Sequence, residues 1–294
     1  MAAQKITIIG VGLLGGSLGL AIKQAGLASH LAGYVRRESS IADCLKYGVV
    51  DSATSSLQEA AAGADLIIFC TPLGQMLKLA TDLVSHIRKG AVITDVGSVK
   101  GTVVRDLEPL FATAGACFVG SHPMAGSEKS GVASARADLF KNAVCVVTPT
   151  STTDRTAIGK VQGFWKAIGC RLLTLSPELH DEFVGRSSHL PHVAAAEIAN
   201  YVLSPVHAKE QALLCANGFR DSTRIAAGSP EMWRDIAIAN RKSLARVLGV
   251  FIEDLQEFQL ALDQQDEKSI EEFLVQAKQR RDAWQAQGAS LSPE

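Results

Sequence analysis

Aromatic side chains are scarce: they make up 5% of the 294 residues, and only 3 are tryptophan. The apolar 47% therefore comes mainly from Ala, Val, Ile and Leu, a mix that suits helices and buried parallel strands more than a β-sandwich. A basic excess is missing as well. Lys and Arg number 29 against 30 Asp and Glu, which argues against a dedicated nucleic-acid binder. No apolar run approaches the roughly 18 residues that span a bilayer. Met1 to Ile9 has neither the long apolar region nor the cleavage site of a signal peptide. The cysteines Cys44, Cys70, Cys117, Cys145, Cys170 and Cys215 include no C-x-x-C pair. They read as reduced core thiols of a cytoplasmic protein rather than a disulfide framework or a zinc site.

What is present divides into two patterns. Lys5–Ile9, Leu31–Val35, Leu66–Cys70, Val92–Asp95, Cys117–Val119, Val144–Thr148 and Arg171–Leu175 read as strands. Gln75–Arg88 and Thr153–Ile168 are among the helical segments between them. Alternation of this kind calls for a doubly wound parallel sheet, and near-continuous apolar runs suit strands buried on both faces. After Ser176 the strand signal ends. Pro177–Leu203, Pro205–Ala227, Pro230–Gln264 and Glu267–Gln285 all read as helical, so a dinucleotide-binding α/β domain (1–176) and an all-α domain (177–294) are expected. Leu244, Leu248, Phe251, Leu255, Phe258 and Leu262 form one stripe on a helix about 50 Å long, fit for a core, a subunit interface, or both.

Gly10-Val11-Gly12-Leu13-Leu14-Gly15 follows the first strand and opens a helix, the setting in which G-x-G-x-x-G marks a dinucleotide site. Gly10 permits the tight turn, Gly12 lets the backbone approach a pyrophosphate, and Gly15 lets helix and strand pack closely. An acidic residue about 20 positions further on would bind the ribose 2′-OH of NAD. Val35 stands there instead, followed by Arg36 and Arg37, whose guanidinium groups suit the 2′-phosphate of NADP. NADP is expected, with NAD as the alternative if the arginines are only solvated and Glu38 serves the ribose.

Further motifs fall at expected strand ends, Cys70-Thr71-Pro72, Asp95 to Lys100 (DVGSVK) and Ser121 to Gly131 (SHPMAGSEKSG), and two more in the helical half, Ser188 to His192 (SHLPH) and Gly218 to Arg224 (GFRDSTR). Together with GVGLLGGSL they resemble the prephenate/arogenate dehydrogenase family of tyrosine biosynthesis, in order and over essentially the whole chain. The resemblance implies a Rossmann-type domain followed by an all-α dimerisation domain. It also implies a homodimer and an oxidative decarboxylation of prephenate, arogenate or both, yielding 4-hydroxyphenylpyruvate or tyrosine.

By the same resemblance His122 is the catalytic base, and neutral imidazole suits that role near pH 7. Ser98 is its hydrogen-bonding partner, or the substrate's; as a bare residue it also reads as the N-cap of a helix over Val99–Leu110. Arg224 binds a substrate carboxylate by its planar fork, with a structural ion pair to Asp221 as the competing reading. His189 and His192, three apart, become pocket residues, with a satisfied core histidine as the competing reading of His189; a zinc pair lacks a third ligand and no metal is expected. Ser127 and Glu128 close over the substrate. Asp221 or Glu128 could meet an arogenate ammonium, and Trp233 is either an aromatic approaching the partner's site or a core residue. Gly10, Gly12, Leu13, Leu14, Gly15, Arg36, Arg37, Thr71 and Pro72 form the cofactor set. With no chorismate mutase segment expected before Lys5 and no room for an ACT-type domain after Gln285, tyrosine feedback would act near the active site. A β-hydroxy-acid dehydrogenase and an NADP-sensing module are the competing functions. The first usually relies on a lysine, and the second would not need His122, Ser98 and Arg224 together.

Overall fold

A computed structural model of the chain describes residues 3–126 and 129–290. Eight strands form one sheet: β1 (Ala3–Ile9), β2 (Ala28–Tyr34), β3 (Ser52–Thr54), β4 (Leu66–Phe69), β5 (Val92–Asp95), β6 (Cys117–Pro123), β7 (Val144–Thr148) and β8 (Arg171–Thr174), in the order β3-β2-β1-β4-β5-β6-β7-β8. Successive side chains point to opposite faces, and both faces are covered. Ile6, Ile8 and Ile68 pack with Leu18, Ile22 and Trp165 on one side, while Ile9, Ile67, Phe69 and Phe118 pack with Leu107 and Phe111 on the other. That double burial is why the strands read as continuous apolar runs.

Helices α1 (Leu13–Gln24), α2 (Ser39–Lys46), α3 (Leu57–Ala61), α4 (Leu73–Leu83), α5 (Gly101–Ala112) and α6 (Arg155–Ala167) link the strands. Two details depart from the sequence reading. The short edge strand β3 carries too little apolar pattern to be seen. And β7 runs antiparallel to β6 while every other pair is parallel. Between Pro123 and Val144 the described chain holds one 3-10 turn, Val132–Ser134, and no crossover helix. Without a crossover the strand re-enters the sheet from the edge it left.

The helical region is more broken than its periodicity suggests. Pro177–Leu203 divides into α7 (Pro177–Val184), a π-helical turn (Gly185–His189) and α8 (Leu190–Val202). Pro191 is the reason: it has no N–H for the carbonyl four residues back, and its ring crowds that carbonyl, so the helix widens just before it. The segment Pro205–Ala227 yields only a 3-10 turn (Lys209–Leu214), α9 (Asn217–Thr223) and a second 3-10 turn (Arg224–Ala227). The single long helix over Pro230–Gln264 is instead α10 (Pro230–Ala239) and α11 (Arg241–Asp263). The break falls at Asn240, which sits off helical geometry at φ −101° and ψ 22°. Its Nδ2 donates to Asp181 O at 2.8 Å, a tertiary bond that the repeat pattern cannot reveal. α12 (Glu267–Ser290) follows. The chain forms two compact units, Met1–Leu244 and Ala245–Glu294. In the second, Phe258 and Phe273 pack ring to ring at 4.8 Å, while Leu255, Leu260, Leu262 and Leu274 are exposed.

Candidate active site

Because β1, β4, β5 and β6 are parallel neighbours, their carboxyl ends share one edge of the sheet, where open α/β sheets bind ligands. Gly10 leaves β1 at φ 98°, a conformation that disfavours side chains, and a Cβ there would lie 2.7 Å from Thr71 Cγ2. A Cβ on Gly15 would lie 2.1 Å from Gly10 O, so the turn closes only with glycine. Gly12, in contrast, has nothing within 4 Å of that position, and the first turn of α1 carries no acidic side chain. Backbone N–H groups, open space and the positive helix end suit a diphosphate. Thr71, after β4, adds a buried hydroxyl with no protein partner, and Pro72 precedes α4. Arg36 and Arg37 leave the end of β2 exposed, and neither makes an ion pair among the described residues. The residues present fit a nicotinamide dinucleotide.

On the same edge, beyond β4, β5 ends in Asp95, which is fully buried. Its carboxylate accepts the Gly97 N–H at 2.9 Å and the Ser121 N–H at 3.1 Å, and it pairs with the Lys100 ammonium, also fully buried. Lys100 Nζ donates in addition to Ser121 O at 2.8 Å, while Trp165 Nε1 donates to Ser121 Oγ at 2.9 Å. Ser121 is thus held on every polar atom, and the next residue, His122, is held with it.

His122 is half-buried, and its Nδ1 lies 2.9 Å from His180 Nε2. His180 Nδ1 lies 2.8 Å from Asp181 Oδ1. Burial, then the neighbouring His180, Lys100 and His189, holds the His122 pKa well below the usual imidazole value. A neutral imidazole at neutral pH is what a general base needs.

Two family models cover most of the chain: the nucleotide-binding domain of prephenate dehydrogenase over residues 18–174 and its dimerization domain over residues 176–276. The chain belongs to the prephenate dehydrogenase family. It is 35% identical over 283 residues to the prephenate dehydrogenase of Bacillus subtilis, covering 94% of this chain and 75% of that one. It is 32% identical over 280 residues to the cyclohexadienyl dehydrogenase of Zymomonas mobilis, covering 95% of each. Among solved structures, prephenate dehydrogenase from A. aeolicus in complex with hydroxyphenyl propionate and NAD+ superposes with a TM-score of 0.90 at 31% identity, covering 96% of this chain and 99% of that one.

Within this family fold the remaining residues can be located. Ser98 is half-exposed within an otherwise buried run from Ala91 to Lys100, and its hydroxyl has no hydrogen bond among the described residues. It is not the N-cap of α5, which begins later, at Gly101. The cap comes instead from α7: Asp181 accepts the Lys100 N–H at 2.7 Å and the Gly101 N–H at 2.8 Å. Ser98 thus stands just after β5, at the carboxyl edge of the sheet, with its hydroxyl unused among the described residues.

His192 and Trp233 stack face to face, centroids 3.5 Å apart and planes 12° apart, and His189 meets the edge of the same indole at 6.1 Å. Trp233 is half-buried against its own chain, neither a core tryptophan nor free. Asn240 Nδ2 donates to His189 Nδ1 at 3.0 Å, whereas His189 Nε2 and His192 Nδ1 are buried with no protein partner. His189 is therefore only half satisfied, and burial lowers its pKa to about 4. Arg224 lies on the 3-10 turn after α9, exposed. Asp221 is exposed as well, and the two make no ion pair among the described residues, which removes the structural reading of Arg224. Ser127 and Glu128 lie outside the described residues. No cluster of three or more His, Cys, Asp or Glu side chains suited to a metal occurs among the described residues.

The sequence reading missed His180, Asp181 and Asn240, and gave Asp95 and Lys100 no role. DVGSVK held a signal: an acid at a strand end and a lysine five residues later are costly to bury unless paired. His180-Asp181 offered none, because its partners are about 60 and 80 residues away.

Proposed function

We propose that the protein oxidatively decarboxylates prephenate, arogenate or both with NADP, and less readily with NAD, giving 4-hydroxyphenylpyruvate or tyrosine. The observation that carries this reading is His122: a neutral imidazole at the ligand edge of the sheet, backed on Nδ1, on the same sheet edge as the glycine loop. When bound, the nicotinamide supplies the hydride acceptor for the ring carbon that bears the hydroxyl. His122 Nε2 takes the hydroxyl proton as the carbonyl forms. Loss of the ring carboxylate as carbon dioxide then restores aromaticity, and the proton returns to the phenol oxygen. Ser98 bonds the same hydroxyl or His122. Arg224 takes a substrate carboxylate by two parallel hydrogen bonds, and His192 and Trp233 flank the side chain. Ser127, Glu128, Asp221 and His189 complete the substrate set. Arg36 and Arg37 receive the 2′-phosphate, while Gly10, Gly12, Leu13, Leu14, Gly15, Thr71 and Pro72 hold the rest of the dinucleotide.

We assign cofactor binding to residues 1–176 and substrate binding with homodimer formation to 177–294, a division that follows the two matched spans. Val206 and Leu213, each 84% exposed in the single chain, are apolar surface of the kind a subunit interface covers. No described helix is long and apolar enough to cross a membrane, and the six cysteines are free thiols, which supports a cytoplasmic setting.

The test is a two-by-two assay of prephenate and arogenate against NADP and NAD. It follows reduced cofactor together with 4-hydroxyphenylpyruvate or tyrosine. Reduction with product from either acid supports the reading; no product from either overturns it. Arg36→Ala should raise KM for NADP about tenfold and leave KM for NAD within about twofold. Equal effects on both would remove the phosphate role.

A further inference from the structure

His122 ends a line of contacts that runs from the sheet edge to the N-terminus of α5. The order of donors along that line is decided at its far end. Asp181 already accepts two backbone N–H groups, from Lys100 and Gly101, and a carboxylate has no hydrogen to offer His180. His180 must therefore donate from Nδ1 across the 2.8 Å contact. The His180 ring is wholly buried, and burial, the largest influence on it, favours its neutral form. A neutral ring that donates from Nδ1 has a bare Nε2. That bare nitrogen faces His122 Nδ1 at 2.9 Å, so His122 must donate there, and its own Nε2 is left bare. The reverse order would set a bare His180 Nδ1 against the Asp181 carboxylate, two acceptors at hydrogen-bond distance. Lys100, His189 and Asp95 are the other titratable groups that act on the two rings, and none hydrogen-bonds either ring.

We propose that His180 and Asp181 are positioning residues that lock His122 in the Nδ1–H tautomer, so that its bare Nε2 always faces the reacting hydroxyl. As His122 takes up a proton, its Nδ1–H bond to His180 strengthens, and the Asp181 carboxylate lies behind it along the same line. The fold couples this device to the architecture: the carboxylate that orients the imidazoles also caps α5. A Cβ on Gly101 would lie 2.8 Å from Asp181 Oδ2, so glycine there admits the carboxylate. The functional part rests on the reaction proposed above; the tautomer does not.

The test combines kinetics with imidazole nitrogen NMR of the full-length enzyme. In the wild type, the ¹⁵N–¹H pattern of His122, assigned by its loss in His122→Asn, should show a protonated Nδ1 and a bare Nε2. His180→Leu should lower kcat on the order of 10- to 100-fold. It should leave KM and cofactor affinity within about threefold, and should abolish the tautomer preference. His180→Gln, whose amide oxygen can accept the same N–H, should recover activity to within about fivefold of wild type. A proton on Nε2 of wild-type His122 would overturn the lock, as would an unchanged kcat in folded His180→Leu. If His180→Leu does not fold, the wild-type spectrum and His180→Gln still decide. A wild-type enzyme that turns over neither acid refutes the proposed reaction, while its spectrum still judges the tautomer.

Discussion

The two sides of the site are built differently. On the sheet side, Asp95, Lys100 and Ser121, joined by His180 and Asp181 of α7, spend their hydrogen bonds on one another and on the backbone and hold His122 by Nδ1. On the helical side, His189 Nε2, His192 Nδ1 and the Arg224 guanidinium have no protein partner among the described residues. Under the proposed function, the contrast teaches how one site meets two demands. Chemistry needs atoms fixed before the reaction, which internal bonds supply. Binding of an anion needs donors that the protein has not already used.

Four changes test that contrast, in order of expected size. His122→Asn keeps a polar group but removes the base, so kcat should fall about 10²- to 10⁴-fold while cofactor affinity stays near normal. Unchanged turnover would take His122 out of the mechanism. Lys100→Met strands the buried Asp95 charge and should lower stability by roughly 3–5 kcal/mol in a denaturant titration. A loss near zero would mean that the pair contributes no net stability. On the other side, Arg224→Ala should raise KM about 10- to 100-fold and shift Tm by less than about 2 °C, because no structural bond is lost. A folding defect alone would contradict the contrast. The smallest effect is on acid stability. The folded His189 pKa is about 4, below its ordinary value of 6.5, so the unfolded chain binds a proton between those limits that the native chain does not. Stability is nearly unaffected above about pH 7.5 and falls as pH drops toward 4, by about 1.4 kcal/mol at pH 5.5. His189→Asn should flatten that slope in pH-dependent melting.

Catalytic pH dependence follows the same sign. His122 must be neutral to accept a proton and its pKa is depressed, so kcat should hold on the alkaline side. It should fall only at pH values below the ordinary imidazole range.

Much of the sheet side was legible in the residues. The strands announce themselves because both sheet faces are buried, and the glycine loop because Gly10 and Gly15 have no room for a side chain. The helical side was less legible. Periodicity reports which face of a helix is apolar, not where the helix stops. The stops at Asn240 and before Pro191 arise from a side chain drawn to a distant carbonyl and from one missing N–H.

By itself the sequence determined the α/β alternation, the anion-binding turn after the first strand, the change to helices after Ser176 and the motif set that marks the family. Each of these is local: a period, a spacing, or a residue with unusual backbone freedom. Only the tertiary structure decided that Asp181 rather than Ser98 caps α5, and that His122 is backed by His180. The same holds for His192 lying on Trp233 and for Arg224 having no tie to Asp221. Those outcomes join residues far apart along the chain, and hydrogen-bond geometry chooses the partner only once the fold has brought the candidates together.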